Sequence, residues 1–412
     1  MMIDAVRSYT EKRTLLLVLL CLAGAVLVAC GRNKTSHPYE TEGVLFYHDR
    51  GTYSEKYVLY NSSHGMKYLF DVSAGTAVPY CFDPGCEHKK AVRDTNGIII
   101  TEGCSAYDYS ELAVFLCDDC MYYFSSQCLY RADRDGTNRK KIVELSKPYE
   151  IRPEMCCYTD EALYVSYTLS YEYTQTANAD GTIVWLAGEF REKPEAGLLR
   201  LPFSGGKEEV VFSSDELYAM QVVEIWQHEK NVAFLVQGMD RLTNYEEADS
   251  EDWQAFSAEE KKHTFQAVYD YSVSDRTVVS VLDATPNIDV YFYSEVYAIG
   301  RESGELELFN YSGKTVCSTE IKISPSVKCD RAIIGWDAAT KEGVMLNEHT
   351  GKIEKRSTLT WEDIVLTVTV GDSYYGLVTN PDGRSVRAYI SANDFWAGNK
   401  SGIVVFPEEG EN

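Results

Sequence analysis

Leu129-Tyr130-Arg131-Ala132-Asp133-Arg134-Asp135-Gly136-Thr137 decides the fold of this chain. An apolar, strand-like run leads into a tight polar turn. Its Asp-Gly pair suits a hairpin, because such turns need positive φ. The same unit returns at Tyr68-Leu69-Phe70-Asp71 with Ala74-Gly75-Thr76, and at Leu198-Leu199-Arg200 with Ser204-Gly205-Gly206. It returns again at Val268-Tyr269-Asp270 with Ser274-Asp275, at Leu306-Glu307-Leu308 with Ser312-Gly313, and at Val344-Met345-Leu346 with Thr350-Gly351. A weaker copy, Arg387-Ala388-Tyr389-Ile390 with Ala397-Gly398, ends the series. Gly136 to Gly206 spans 70 residues and Gly206 to Asp275 spans 69, whereas Asp275 to Gly313 and Gly313 to Gly351 span 38 each. A unit of about 40 residues with hairpin signals has the length of a propeller blade.

The expected fold is therefore all-β: a β-propeller of about seven blades over residues 42–408, with six or eight also compatible with the spacing. One blade cannot bury both of its faces alone. Neighbours bury each other, and closing the ring protects the ends. A β-sandwich or β-solenoid with coincidental turns is the competing reading. Period-2 runs rich in β-branched and aromatic residues, such as Val232 to Val236 and Val290 to Ile299, support strands throughout. Insertions are expected at 81–104, 171–197 and 239–264. Tyr171 to Gly197 reads as an added or lengthened hairpin, and Met239 to Thr264 as an acidic stretch holding a short helix. For that helix, Ser257 with Glu260 forms a capping box.

The balance of 63 acidic against 39 basic residues gives a net charge of −24. It argues against a nucleic-acid partner, which needs a basic face. It also argues against holding an anionic membrane by surface charge.

The N-terminus carries an address. Arg7, Lys12 and Arg13 precede an apolar run from Leu15 to Ala29, too short for a comfortable membrane span but right for a signal-peptide core. It ends Leu27-Val28-Ala29-Cys30, which resembles the bacterial lipoprotein box. The resemblance implies cleavage after residue 29 and acylation of Cys30, giving the several chains that stable anchoring requires. Residues 30–41 then read as lipidated Cys30 and a flexible tether. The expected location is the extracytoplasmic side of the cell membrane, held there through the N-terminal lipid. An ordinary secretory signal or an uncleaved short anchor is the alternative.

The turn copies, Leu129-Tyr130-Arg131 with Arg134-Asp135-Gly136-Thr137 above all, resemble the blades of TolB-like propellers. Several copies lack the Asp-Gly, and Ser274-Asp275-Arg276 has no Gly. Such a likeness bears on fold and not on activity.

The sharpest chemical pattern is Cys81-Phe82-Asp83-Pro84-Gly85-Cys86-Glu87-His88 followed by Cys104. Three thiolates and an imidazole make the tetrahedral donor set of a closed structural zinc site. Asp83-Pro84-Gly85 would turn the chain so that Cys81 and Cys86 face one point. The candidate metal ligands are thus Cys81, Cys86, His88 and Cys104. A disulfide of Cys81 or Cys86 with Cys104, or three reduced thiols without metal, remain open. This segment also resembles one that recurs in uncharacterised TolB-like propeller lipoproteins of Gram-positive bacteria. Cys117-Asp118-Asp119-Cys120 reads as a hairpin turn with structural thiols, since a redox motif would want a helix N-terminus. Cys156-Cys157 read as buried filling, and Cys317 with Cys329 as a candidate pair.

No nucleophile elbow, P-loop, dinucleotide-binding glycine pattern or metalloprotease HExxH is present. His48, His64, His228, His263 and His349 read as surface histidines. Glu246 to Asp252 lacks the alternating ligands of a Ca²⁺ loop. These features favour a binding role, with a protein or peptide partner held by the projecting segments. Carbohydrate or solute binding at the axial mouth is the alternative, and a propeller hydrolase or lyase a third.

Overall fold

The computed structural model describes residues 47–406 except 49–50, 54–56, 62–65, 82–85, 88, 90–91, 94–98, 102–103, 105–111, 117–119, 126, 134–136, 160, 178–182, 243–252, 302–303, 328–331 and 382. The signal segment, Cys30, the tether and the acidic run 246–252 lie outside the described residues, as do His64, His88, Cys117, Gly136 and Cys329.

Seven antiparallel sheets follow one another along the chain, at 47–79, 112–144, 150–214, 218–286, 289–318, 323–360 and 365–405. They are the seven blades of a β-propeller. Each has four strands in sequence order, and the first has a further short strand, Tyr47–His48, paired to Gly51–Tyr53. The first strands of successive blades touch. Gly51–Tyr53 meets Leu112–Leu116, which meets Glu150–Tyr158, which meets Tyr218–His228.

Burial follows from that geometry. A second strand is covered on both faces by adjacent blades, so Val296–Gly300 and Ile333–Asp337 are buried at every residue. A fourth strand lies at the rim, and Thr277–Pro286 has no buried residue. Interlocking apolar clusters join the blades. Leu59 of blade 1 packs with Met121 and Tyr123 of blade 2. Tyr164 and Leu198 of blade 3 pack with Val222 and Phe234 of blade 4. Similar clusters join blades 4 and 5, 5 and 6, and 6 and 7. Between blades 2 and 3, Tyr122 packs on Phe203 at 4.8 Å.

Among the described residues the ring closes without strand exchange. The seventh sheet contains only C-terminal strands and the first only N-terminal ones. Their junction is a side-chain core: Val58, Tyr60, Met66, Tyr68 and Phe70 against Val368, Tyr375 and Phe406.

The repeated turns link the third and fourth strands of blades 1 to 6. Gly75, Gly205, Gly313 and Gly351 have φ between +64° and +87° there. In the blade 4 turn, which has no glycine, Arg276 takes φ +53°. Its N–H donates to Ser272 O at 2.8 Å, as that of Gly351 does to Asn347 O at 2.9 Å. The weak seventh copy is different in kind. Gly398 (φ +70°) caps a short helix, Ala392–Ala397, which replaces the turn in blade 7. A left-handed glycine serves both a hairpin and a helix end, so the two look alike in sequence.

Because strands within a blade alternate in direction, links from second to third strand and from blade to blade leave one face of the ring. Three enlarged links therefore share that face. The first joins blades 1 and 2 (80–111). The second is the tip of the long hairpin Ala162–Ala177 with Ile183–Pro202 in blade 3. The third carries the helix Trp253–His263 in blade 4. This helix starts earlier than the capping box at Ser257 predicts, so Ser257 lies inside it. Among the described residues, no helix is long and apolar enough to cross a membrane.

Candidate metal centre

The link from blade 1 to blade 2 is built so that its two ends meet. Tyr80 N–H donates to Lys67 O at 2.8 Å, continuing the pairing of the fourth strand with the third. Cys81 N–H then donates to Pro79 O at 2.7 Å, a tight turn that takes the chain off the blade edge. Further on, Val92–Arg93 and Ile99–Thr101 form a two-stranded ribbon in which Val92 pairs with Thr101. Three residues outward on each strand, Cys104 N–H donates to Lys89 O at 2.8 Å. The ribbon thus folds back the long spacer and returns Cys104 to the segment that holds Cys86.

The result is a convergence of sulfur. The Sγ atoms of Cys81, Cys86 and Cys104 all lie within 4.8 Å of one another. Among the described residues this is the one group of three or more His, Cys, Asp or Glu side chains so placed. Cys104 is buried, while Cys81 and Cys86 are half-buried. All three are thiols. Zn–S bonds of about 2.3 Å in a tetrahedron put sulfurs about 3.8 Å apart, so a contraction of about 1 Å at most would bring the three thiolates to zinc spacing. His88, the fourth expected ligand, lies outside the described residues and in sequence precedes Lys89. The rim of the centre is polar, with Lys89 paired to Glu87 and both exposed.

The remaining described thiols differ. Cys120, Cys128, Cys156 and Cys157 are buried within blades. Burial pushes the Cys157 thiol well above its ordinary range, and raises that of Cys317 as well. Cys157 and Cys317 are thus poor ligands and nucleophiles.

The histidines correct one expectation. His228 is 8% exposed, not a surface residue. Its Nε2 lies 2.9 Å from Asp270 Oδ1, and its ring stacks on Tyr311 of the next blade at 3.8 Å. Asn231 Nδ2 donates to the other Asp270 oxygen at 2.9 Å. The signal lies in register: Asn231 pairs with Ser272 and His228 with Asn231, which sets the imidazole beside Asp270. This is a buried latch between blades 4 and 5. His349 does lie toward solvent, near Glu295, while His263 is half-buried beside Asp240. Trp396 donates from Nε1 to Tyr374 Oη at 2.8 Å and belongs to the blade 7 packing.

The second notable feature is the blade 3 hairpin. The first strand of the blade pairs with it up to Thr168 and the fourth up to Ala196. Beyond Leu169 it runs on as a two-stranded arm, with Tyr171 opposite Phe190, Tyr173 opposite Ala187 and Thr174 opposite Leu186. Eight residues at about 3.4 Å each carry it about 27 Å. Phe190 is 62% exposed and Leu186 54%. Tyr171 packs edge-on to Phe190 at 5.4 Å and to Tyr173 at 6.3 Å.

No protein-family model matches this chain, and no curated protein matches it. Among solved structures, similarity extends to an oligogalacturonate lyase from Vibrio parahaemolyticus (11% identity, 87% of this chain and 94% of that one, TM-score 0.44). BamB from Moraxella catarrhalis is similar at 9% identity over 87% of this chain and 80% of that one, TM-score 0.37. A puromycin hydrolase is similar at 8% identity over 85% of this chain, TM-score 0.45, and there this chain spans 53% of the larger protein. The activities in those names belong to those proteins.

Proposed function

We propose that this chain is a lipid-anchored, extracytoplasmic binding protein whose propeller presents one elaborated face to a protein or peptide partner. The observation that carries this reading is the aromatic arm. Tyr171, Leu186 and Phe190 stand exposed on a hairpin that no other strand covers among the described residues, on the face that also carries the blade 4 helix and the cysteine link. Exposed aromatic side chains on a supported arm are the residue type that supplies contact energy in protein interfaces. The N-terminal pattern ending at Cys30 supports the anchor. Cys81, Cys86, His88 and Cys104 would hold a structural zinc, whose four protein ligands leave no open position for catalysis.

The test is site-specific photo-crosslinking in intact cells. A crosslinker at Phe190 should give a discrete adduct. One at Ser312, in a turn on the opposite face, should not. Equal labelling from both positions, or none from Phe190, would remove the binding-face reading.

A further inference from the structure

The junction between the last blade and the first is the one interface of the ring with no continuous chain across it. Among the described residues no strand is exchanged there, and what joins the two blades is a core of side chains. Its core contains Phe70, Tyr60 and Tyr68 from blade 1 with Tyr375, Val368 and Phe406 from blade 7. Cys104 is a buried member of that same core, and Cys81 and Cys86 pack against it. The sulfur centre is therefore set into the closing seam of the propeller, although its residues are about 300 positions from Phe406 in sequence.

We infer that a divalent metal of zinc type, held by Cys81, Cys86 and Cys104, clasps the ring by fixing these three cysteines against the core between blades 1 and 7. This rests on the zinc reading given above and adds a role to it. Without the ion, three thiols must be held together by a ribbon of two short strands, which is marginal alone. Bonds from one ion to the three thiolates tie together positions 5 to 23 residues apart and make metal binding free energy into folding free energy. The part of the fold that receives it is the part that touches the loop. Phe406 also has its N–H bonded to Arg387 O at 2.9 Å, so disturbance at its ring reaches the edge strand Val404–Val405 and the third strand of blade 7.

The test uses the full chain in detergent, with and without Zn²⁺ after chelator treatment. Metal content is measured first, then amide hydrogen exchange. About one zinc per chain is expected. On its removal, exchange should rise roughly ten-fold or more in two separated regions, 67–79 and 385–406, while 289–346 in blades 5 and 6 keeps its protection. Cys86→Ser should reproduce this pattern, and so should the milder His88→Gln if the first variant folds poorly. Zinc binding with faster exchange confined to 80–111 would overturn the clasp and leave the zinc site standing. A uniform rise through all seven blades would also overturn it. Absence of bound zinc would remove both the clasp and the site.

Discussion

The ring of Phe70, in the third strand of the first blade, stacks on the ring of Phe406, just past the last strand of the seventh, with centroids 4.4 Å apart and planes 20° from parallel. Phe406 also lies 5.1 Å from Tyr60 and 6.2 Å from Tyr375. One side chain near the C-terminus thus joins the first blade to the last.

Phe406→Ala should cost about 3–5 kcal/mol, the loss expected for a buried aromatic ring, because the cavity opens in the side-chain core that joins blades 1 and 7. Equilibrium urea unfolding measures it. A loss under about 1 kcal/mol would show that the seam does not depend on this ring.

Cys104→Ser should abolish zinc retention, and Cys81→Ser should weaken it strongly. Cys317→Ser, in blade 5, should leave metal content unchanged. Metal analysis of the purified variants gives the answer. Equal retention in all three would place any zinc elsewhere.

Two glycines in equivalent turns should respond differently. At Gly75 (φ +64°) an added methyl would have nothing within 4 Å, so Gly75→Ala should cost only the left-handed conformational penalty, about 1 kcal/mol. At Gly351 (φ +65°) the same methyl would meet Ser318 O at 2.2 Å, so Gly351→Ala adds a backbone collision and should cost about 3 kcal/mol. Thermal or urea unfolding of the two variants compares them. Similar losses at both sites would contradict the turn packing.

Glu348 links blades 5 and 6, accepting hydrogen bonds from Ser294 Oγ at 2.9 Å and Glu295 N–H at 3.0 Å. Burial raises its pKa, and those two bonds pull it back only in part. A carboxyl whose folded pKa lies above its unfolded value binds its proton more tightly in the fold. Its contribution is therefore full below the ordinary glutamate range and is lost as pH rises through the folded value. Glu348→Gln should remove that component, flattening the fall of stability on the alkaline side of the glutamate range. Unchanged pH profiles of the melting temperature would refute it.

On the blade 3 arm, Phe190→Ser and Leu186→Ser should change stability by no more than about 0.5 kcal/mol, because both side chains are mainly in solvent. Leu186→Ser should abolish partner crosslinking from position 190 all the same. A large stability loss would mean that the arm is part of the core.

The hairpin turns are legible in sequence because each demands a local conformation that few residues adopt. Gly75, Gly313 and Gly351 announce it directly. Arg276 adopts it without a glycine, and only the flanking strands reveal its turn. Gly398 shows the limit of the signal, since the left-handed glycine there ends a helix. His228 escapes a sequence reading for a related reason. Its neighbours Glu229 and Lys230 are polar, and nothing within a few residues tells that Tyr311, from another blade, covers its ring.

Strand periods, blade length, the positions of the thiols and the net charge are all written in the chain itself, since each is a property of neighbouring residues or of their sum. Three-dimensional packing was needed to return Cys104 to Cys81 and Cys86, to put the three enlarged links on a shared face, and to set the cysteines into the seam between the first and last blades. Those outcomes depend on the register of paired strands and on ring closure. Both are set by burial of surfaces far apart in the chain, which no local pattern encodes.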